Sequence, residues 1–197
     1  MISSFDTLKK ILRRIPGIGY RSAERIALFF LLEGKEYAQE LLKSLSHALE
    51  SIKICSLCGN LSEAELCFLC SDPSRDASTL CIVETIPDLH AIERTGNFRG
   101  KYQILNGKLS PIRGIFPKNL PLEHLKKRLD QEDIQEIILA LGNDIESEAT
   151  CQYILKEILQ PLGKNTTRIG FGLPSGGGIA MADTDTLHTA ILSRRKL

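Results

Sequence analysis

Residues 55–70 read CSLCGNLSEAELCFLC, two Cys-x-x-Cys pairs separated by eight residues. Zn²⁺ favours four sulfur or nitrogen ligands in a tetrahedron, and each Cys-x-x-Cys turn supplies two adjacent corners. The gap from Gly59 to Leu66 is long enough for one pair to fold back onto the other. Cys55, Cys58, Cys67 and Cys70 are therefore expected to hold one structural zinc per chain. A closed set of four thiolates leaves no open position for a reacting water. The quartet also marks a joint: helical periodicity precedes it, and short β-rich runs follow it.

Ahead of the quartet, Phe5, Leu8, Leu12 and Ile15 recur at helical spacing until Pro16-Gly17-Ile18-Gly19 interrupts them. A second helix is expected with Ala23, Ile26, Ala27 and Phe30 on one face. A third follows, with Ala38, Leu41, Leu42, Leu45, Leu49 and Ile52 at spacings of three and four. The Gly-x-Gly turn between the first two lets a phosphate approach the backbone, and the opening N–H groups of the next helix suit an anion. Arg21 and Arg25, four apart, fall on one side of that helix. This is a helix–hairpin–helix pattern, which contacts DNA through its backbone without reading sequence. A plain helix–helix turn with surface arginines stays open on the residues alone.

Charge points the same way. The whole chain is nearly neutral, at +1 over 197 residues, but residues 1–30 hold six basic against two acidic side chains. A local basic surface on such a chain is a sign of a polyanionic partner. Hydrophobic content of 43% and charged content of 25% are those of a globular protein. No apolar run approaches the roughly 20 residues that span a bilayer, and the N-terminal residues lack a signal peptide's pattern. A cytoplasmic location is expected, where thiols are more often ligands than disulfide halves. Cys81 and Cys151 lie in apolar patterns and read as core residues.

Beyond residue 79, β-rich runs at 80–83, 102–105, 137–140 and 168–171 alternate with helical stretches near 87–94, 121–131, 146–160 and 184–194. Strands separated by helices favour a largely parallel sheet covered on both faces, so the body is α/β. Ligands in such sheets sit at strand ends, and acids stand there: Glu84, then Asp144, Glu146 and Glu148 after Gly142. Clustered acids at such a position can hold Mg²⁺ for phosphoryl chemistry. They can equally cap the following helix or form a charged partner surface. Leu162-Gly163-Lys164-Asn165 is not a P-loop, because Ile158 replaces its first glycine and Asn165 its hydroxyl residue.

Taken in order, these segments resemble the bacterial recombination mediator family RecR along essentially the whole chain. The resemblance is carried by Ile15 to Gly19 with Arg21-Ser22-Ala23, by the four cysteines, and by Cys81-Ile82-Val83-Glu84. Gly107 with Ser110-Pro111 and Gly114, Glu146 to Thr150, and Gly172-Leu173-Pro174 through Ala182-Asp183 complete it. It implies a helix–hairpin–helix DNA-binding region over 1–54, a four-cysteine zinc finger over 55–70, and a Toprim domain over 79–173. A C-terminal Gly-rich loop and helix would occupy 174–197. It implies a homo-oligomeric clamp, a tetrameric ring, that acts with RecO and RecF to load RecA onto gapped, SSB-coated DNA. Arg21 and Arg25 would contact DNA, and Glu146 would contact RecO. Glu84, Asp144 and Glu148 would be a residual Toprim acidic cluster without catalytic residues.

The sequence departs from the family pattern in two places, one in the Toprim region and one beyond it. Gly142 stands where catalytic relatives carry the first acid of Asp-x-Asp, and Ser147 replaces the glycine of Glu-Gly-Glu. Losing one of few carboxylate ligands weakens a metal site, which argues against strand cleavage. Gly178 and Ala180 also stand where relatives carry acids, which places any nucleotide-linked role of that stretch in doubt. The alternative reading is an enzyme, a Toprim-type Mg²⁺-dependent nuclease or a primase-like protein using Glu84, Asp144 and Glu146.

Overall fold

A computed structural model of the chain describes residues 3–170, 172–173, 176, 178–192 and 194. They divide into two compact units, Met1–Ile52 and Lys53–Leu197.

The first unit is three helices: α1 (Ser3–Leu12), α2 (Tyr20–Leu32) and α3 (Lys35–Ser51). Leu12, Ala23 and Ala27 form its small core, with Phe5, Leu8, Ile18 and Ile26 packed against them. Two alanines at the crossing let α1 and α2 approach closely, which sets the hairpin. Lys9 ties it from the side, with its ammonium 3.0 Å from Asp6 and 3.6 Å from Glu24. Phe29 and Phe30 of α2 each lie 6.3 Å from the Tyr37 ring of α3. The apolar stripe on α3 meets no core: no residue of that helix is buried.

The second unit opens with a knuckle made of β1 (Lys53–Ile54) paired antiparallel to β2 (Leu61–Ser62), followed by the short α4 (Phe68–Ser71). The α/β body carries β3 (Asp76–Val83), α5 (Ile86–Glu93), β4 (Gly100–Ile104), α6 (Leu122–Gln131), β5 (Glu136–Ala140), α7 (Ile145–Ile154), β6 (Asn165–Arg168) and α8 (Thr184–Leu192). Its four strands pair in the order β4-β3-β5-β6, all parallel.

Alternation along the strands builds two cores. Leu80, Ile82, Ile137 and Leu139 face one way, onto Leu125 and Leu129 of α6 and Cys151 and Ile154 of α7. Cys81, Val83, Tyr102 and Ile104 face the other, onto Leu89 of α5 and the knuckle cysteines. Helix α5 is stopped at its start by a capping box between Thr85 and Asp88. Both lone cysteines are core residues, as expected; burial pushes the Cys81 thiol up to about 12.

Two local expectations shift. The last strand lies at Asn165–Arg168 rather than 168–171, with Phe171 outside the described residues. The exposed edge of the sheet accepts the β-branched Thr166 and Thr167 as readily as an apolar run. Ile169 adds one further bond, its N–H donating to Leu139, before Gly170. The helix expected over 146–160 also changes pitch: from Leu155 to Leu159 it is a π-turn, closed by Gln160 N–H on the Leu155 carbonyl at 2.8 Å.

Candidate functional site

Three candidate sites stand on this frame: the hairpin, the cysteine quartet and the acidic strand ends.

At the hairpin, Gly17 adopts φ +82°, a left-handed conformation that closes the turn at no side-chain cost. Gly19 caps α2 with extended backbone and no side-chain bond, so the first N–H groups of α2 have no cap from it. Arg21 and Arg25 project from the same helix into solvent, and neither forms a salt bridge among the described residues. Of the other basic residues in the segment, Lys9 is spent on Asp6, Glu24 and the Phe5 ring, while Lys10, Arg13 and Arg14 are exposed.

In the knuckle, one sulfur from each of Cys55, Cys58, Cys67 and Cys70 lies within 4.8 Å of the other three. Zn–S bonds of about 2.3 Å in a tetrahedron place sulfurs about 3.8 Å apart, and Cys58 and Cys67 stand at 3.5 Å. Backbone amides complete the site: Cys67 N–H donates to the Cys55 sulfur at 3.3 Å, and Asn60 N–H to the Cys58 sulfur at 3.4 Å. Burial pushes the Cys55 thiol up, but amides of Cys67, Cys58 and Leu57 outweigh it and bring the group down to about 7. Cys58 is driven upward by its hydrogen bond to Cys70 and by burial, and Cys67 by burial. Four sulfurs this close cannot all ionise unless a cation sits among them, and a soft divalent ion meets that demand. The donor set fits zinc, which when bound cross-links the two turns.

The knuckle belongs to the sheet. Ile104 N–H donates to the Cys58 carbonyl at 2.8 Å. Lys101 on β4 donates to the carbonyls of Leu69, Cys70 and Asp72 at 3.0, 3.1 and 2.8 Å. From α6, Arg128 donates to the Tyr102 carbonyl at 2.6 Å and to that of Leu57 at 3.4 Å, and His124 lies 2.9 Å from the Ser56 carbonyl. Gly59, where the first turn meets β4, adopts φ +83°, a left-handed conformation that side-chain-bearing residues rarely take.

At the strand ends, Glu84 follows β3 and Asp144 follows β5. Asp144 caps α7, its carboxylate accepting from the N–H groups of Glu146 and Ser147 at 3.1 Å. Lys108 sits among the acids, 2.6 Å from Asp144 and 3.7 Å from Glu84. The Ser147 hydroxyl lies 2.8 Å from Asp144, 3.0 Å from Glu84 and 3.3 Å from Lys108. The Lys108 ammonium, then the Ser147 hydroxyl, holds the Asp144 carboxyl well below the usual carboxylate range. Gly142 leaves room for this cluster: a Cβ there meets the Ser147 hydroxyl at 3.1 Å and Asp144 at 3.2 Å.

The other two acids turn away. Glu146 accepts from the Ser110 hydroxyl and lies 4.0 Å from Arg113. Glu148 pairs with Arg168 at 3.3 Å. Residues two apart on a helix face different directions, so Glu84 and Asp144 come together and Glu148 does not join them. Among the described residues, the four cysteines are the one group of three or more ligating side chains close enough to share a metal.

Comparison with known proteins follows this layout. The family described as RecR, helix-hairpin-helix matches residues 5–49, and the RecR four-cysteine zinc finger domain matches residues 52–72. The Toprim domain matches residues 78–170. A Recombination protein RecR of Anaeromyxobacter dehalogenans is 42% identical over 190 residues, covering 96% of each chain. That of Thermus thermophilus is 45% identical over 188 residues, covering 95% of this chain and 94% of its own. The chain belongs to the RecR family.

Within that family frame, the knuckle carries the family's four-cysteine zinc finger, and the hairpin carries its helix–hairpin–helix. Sequence reasoning missed Lys101, Arg128 and Lys108. Lys101 and Lys108 bond to groups 24 or more positions away, and Arg128, besides its i,i+4 partner Glu132, reaches Tyr102 and Leu57 far along the chain, so no local spacing announces these links. Pro174, Ser175 and Gly177 of the expected Gly-rich loop, and Arg195-Lys196 at the C-terminus, lie outside the described residues. Among the described residues, no helix is long and apolar enough to cross a membrane.

Proposed function

We propose that the protein is a non-enzymatic, DNA-binding mediator of recombinational repair in the cytoplasm. It works as an oligomeric clamp, a tetrameric ring, with RecO and RecF to load RecA onto gapped, SSB-coated DNA. In this reading residues 1–54 contact DNA, the zinc finger at 55–70 is structural, the Toprim domain at 79–173 binds partners, and 174–197 form a C-terminal tail. The observation that carries it is the hairpin: two solvent-facing arginines beside a Gly-turned helix start whose N–H groups meet no side-chain acceptor from the cap. That combination favours phosphate contact without base readout.

Glu146 is the proposed RecO contact. Its position on the first turn of α7, braced by Ser110 and facing Arg113, supports an acid held in a fixed direction. The ring is supported by α3, which offers Leu42 and Leu49 at 64% and 75% exposure. The nuclease or primase-like alternative draws no support from the strand ends, where Lys108 bridges Glu84 and Asp144 while Glu148 faces Arg168.

The test is binding to a gapped duplex, read by fluorescence anisotropy across a salt series. Arg21→Ala with Arg25→Ala should weaken binding equally for unrelated sequences and lower the salt slope by about two. Unchanged affinity removes the hairpin from the interface. Mg²⁺-dependent cleavage of the same DNA, lost in Glu84→Ala, restores the enzyme reading.

A further inference from the structure

Two carboxylates at the ends of neighbouring parallel strands repel each other unless a cation lies between them. A divalent ion with oxygen ligands is the common answer to that problem. Here the chain supplies its own. Past the end of β4, Leu105 N–H donates to the Val83 carbonyl at 3.0 Å and Gly107 N–H to the Glu84 carbonyl at 3.2 Å. This pairing delivers the next residue, Lys108, beside Glu84, with its ammonium 2.6 Å from Asp144. Lys108 is not a loose surface residue: its side chain is 20% exposed. The residues after it are zipped to α7, Leu109 N–H donating to the Thr150 hydroxyl at 2.9 Å and the Ser110 hydroxyl to Glu146.

We infer that Lys108 is a resident cation that stands in for a divalent metal between Glu84 and Asp144, so that this acidic site is closed to Mg²⁺ and Mn²⁺. An ammonium offers one positive charge and three directed N–H bonds, against the metal's two charges and six ligand positions. It therefore neutralises the two acids and fastens the start of α7 without presenting an electrophile to a phosphate. The raised affinity of Lys108 for its proton, caused first by the bond to Asp144 and offset in part by desolvation, agrees with a permanently charged stand-in. Because Ser147 is gripped by the same three groups, the turn bearing Glu146 is fixed by protein atoms and needs no metal to hold its shape.

Mn²⁺ binding to zinc-loaded protein, followed by electron paramagnetic resonance, tests this without DNA or any partner. Its outcome is thus separate from that of the mediator reading. Wild type and Lys108→Arg should bind no Mn²⁺ at the acids. Lys108→Ala should gain a site at least about tenfold tighter than any in wild type, since a repelling charge within hydrogen-bond reach is gone. Adding Asp144→Asn should abolish the gain. Lys108→Met gives the same comparison on a side chain of similar reach if the alanine variant folds poorly. Asp144-dependent Mn²⁺ binding by wild type overturns the inference, and so does a folded Lys108→Ala or Lys108→Met variant that gains no Mn²⁺ site.

Discussion

The N–H of Ile104 donates to the carbonyl of Cys58 across 2.8 Å, so the outer edge of β4 is paired with a residue of the metal knuckle. An unpaired strand edge is a template for aggregation, and covering it is one way proteins manage that liability. Zinc therefore secures the sheet as well as the finger. Chelation of the metal, or Cys58→Ser, should speed amide exchange at residues 101–104 while leaving β5 protected. Hydrogen exchange read by mass spectrometry checks this. Equal protection of both strands after zinc loss would separate the knuckle from the sheet edge.

Arg128 joins the same parts from α6. Its side chain is 1% exposed, with Nε 3.0 Å from Glu132 and Nη1 on the Tyr102 carbonyl. Its Nη2 is buried and meets no hydrogen-bond partner among the described residues. Removing a buried arginine costs about 3 kcal/mol where, as here, it strands the carbonyls it bonds and half-buried Glu132. Arg128→Ala should lower unfolding stability by about that amount in a urea titration. It should also accelerate zinc release to a chromogenic chelator, since the carbonyl of Leu57 inside the first Cys-x-x-Cys turn loses its donor. Unchanged release would confine Arg128 to α6 and the sheet.

Much of this was legible beforehand, for physical reasons that differ by element. The quartet was legible because a metal's coordination demand is written in short-range spacing, two ligands per turn. Strands β3 and β5 were legible because burial on both faces requires unbroken apolar runs such as Leu80 to Val83. Strand β6 was not, because an edge strand carries no such demand, and Asn165-Thr-Thr-Arg168 satisfies it with polar side chains. The π-turn at 155–159 left no trace, since Leu-Lys-Glu-Ile-Leu suits an ordinary helix equally well. Lys108 was invisible for a further reason. Its partner Asp144 lies 36 residues away, and only the parallel crossing of β3, β4 and β5 brings the two together.

That crossing has a pH consequence. Asp144 holds its proton less tightly in the folded chain than in the unfolded one, through the bond to Lys108 and then that to Ser147. A carboxyl depressed on folding contributes stability above its unfolded value of about 4 and loses that contribution as pH falls below it. Asp144→Asn keeps a helix-capping side chain but removes the titration. Wild type should therefore lose stability relative to Asp144→Asn as pH falls from about 4, with the offset between them constant from about pH 5 to 8. Paired urea titrations at fixed zinc check this, because acid release of zinc is common to both proteins. Parallel curves through the acid range would show that Asp144 gains nothing from Lys108.

Helix α3 supplies the last test. Leu42 and Leu49 are seven residues apart and therefore on one face, yet both are largely exposed, and no residue of the helix is buried within its own unit. Beside α1, a groove of about 490 Å³ lined by Phe5, Leu8, Leu28, Leu31 and Leu32 is also open. Apolar surface gathered in this way suits contact with another chain, and in the proposed clamp that chain would be a second copy. Leu42→Asp with Leu49→Asp should lower the solution mass measured by light scattering, with little change in helical circular dichroism. Fewer linked hairpins should then weaken gapped-DNA binding by roughly one hundredfold, because avidity is lost while each hairpin keeps Arg21 and Arg25. An unchanged mass would move the subunit contact off α3. A reduced mass with undiminished DNA binding would mean that a single hairpin suffices, which would remove the need for a ring.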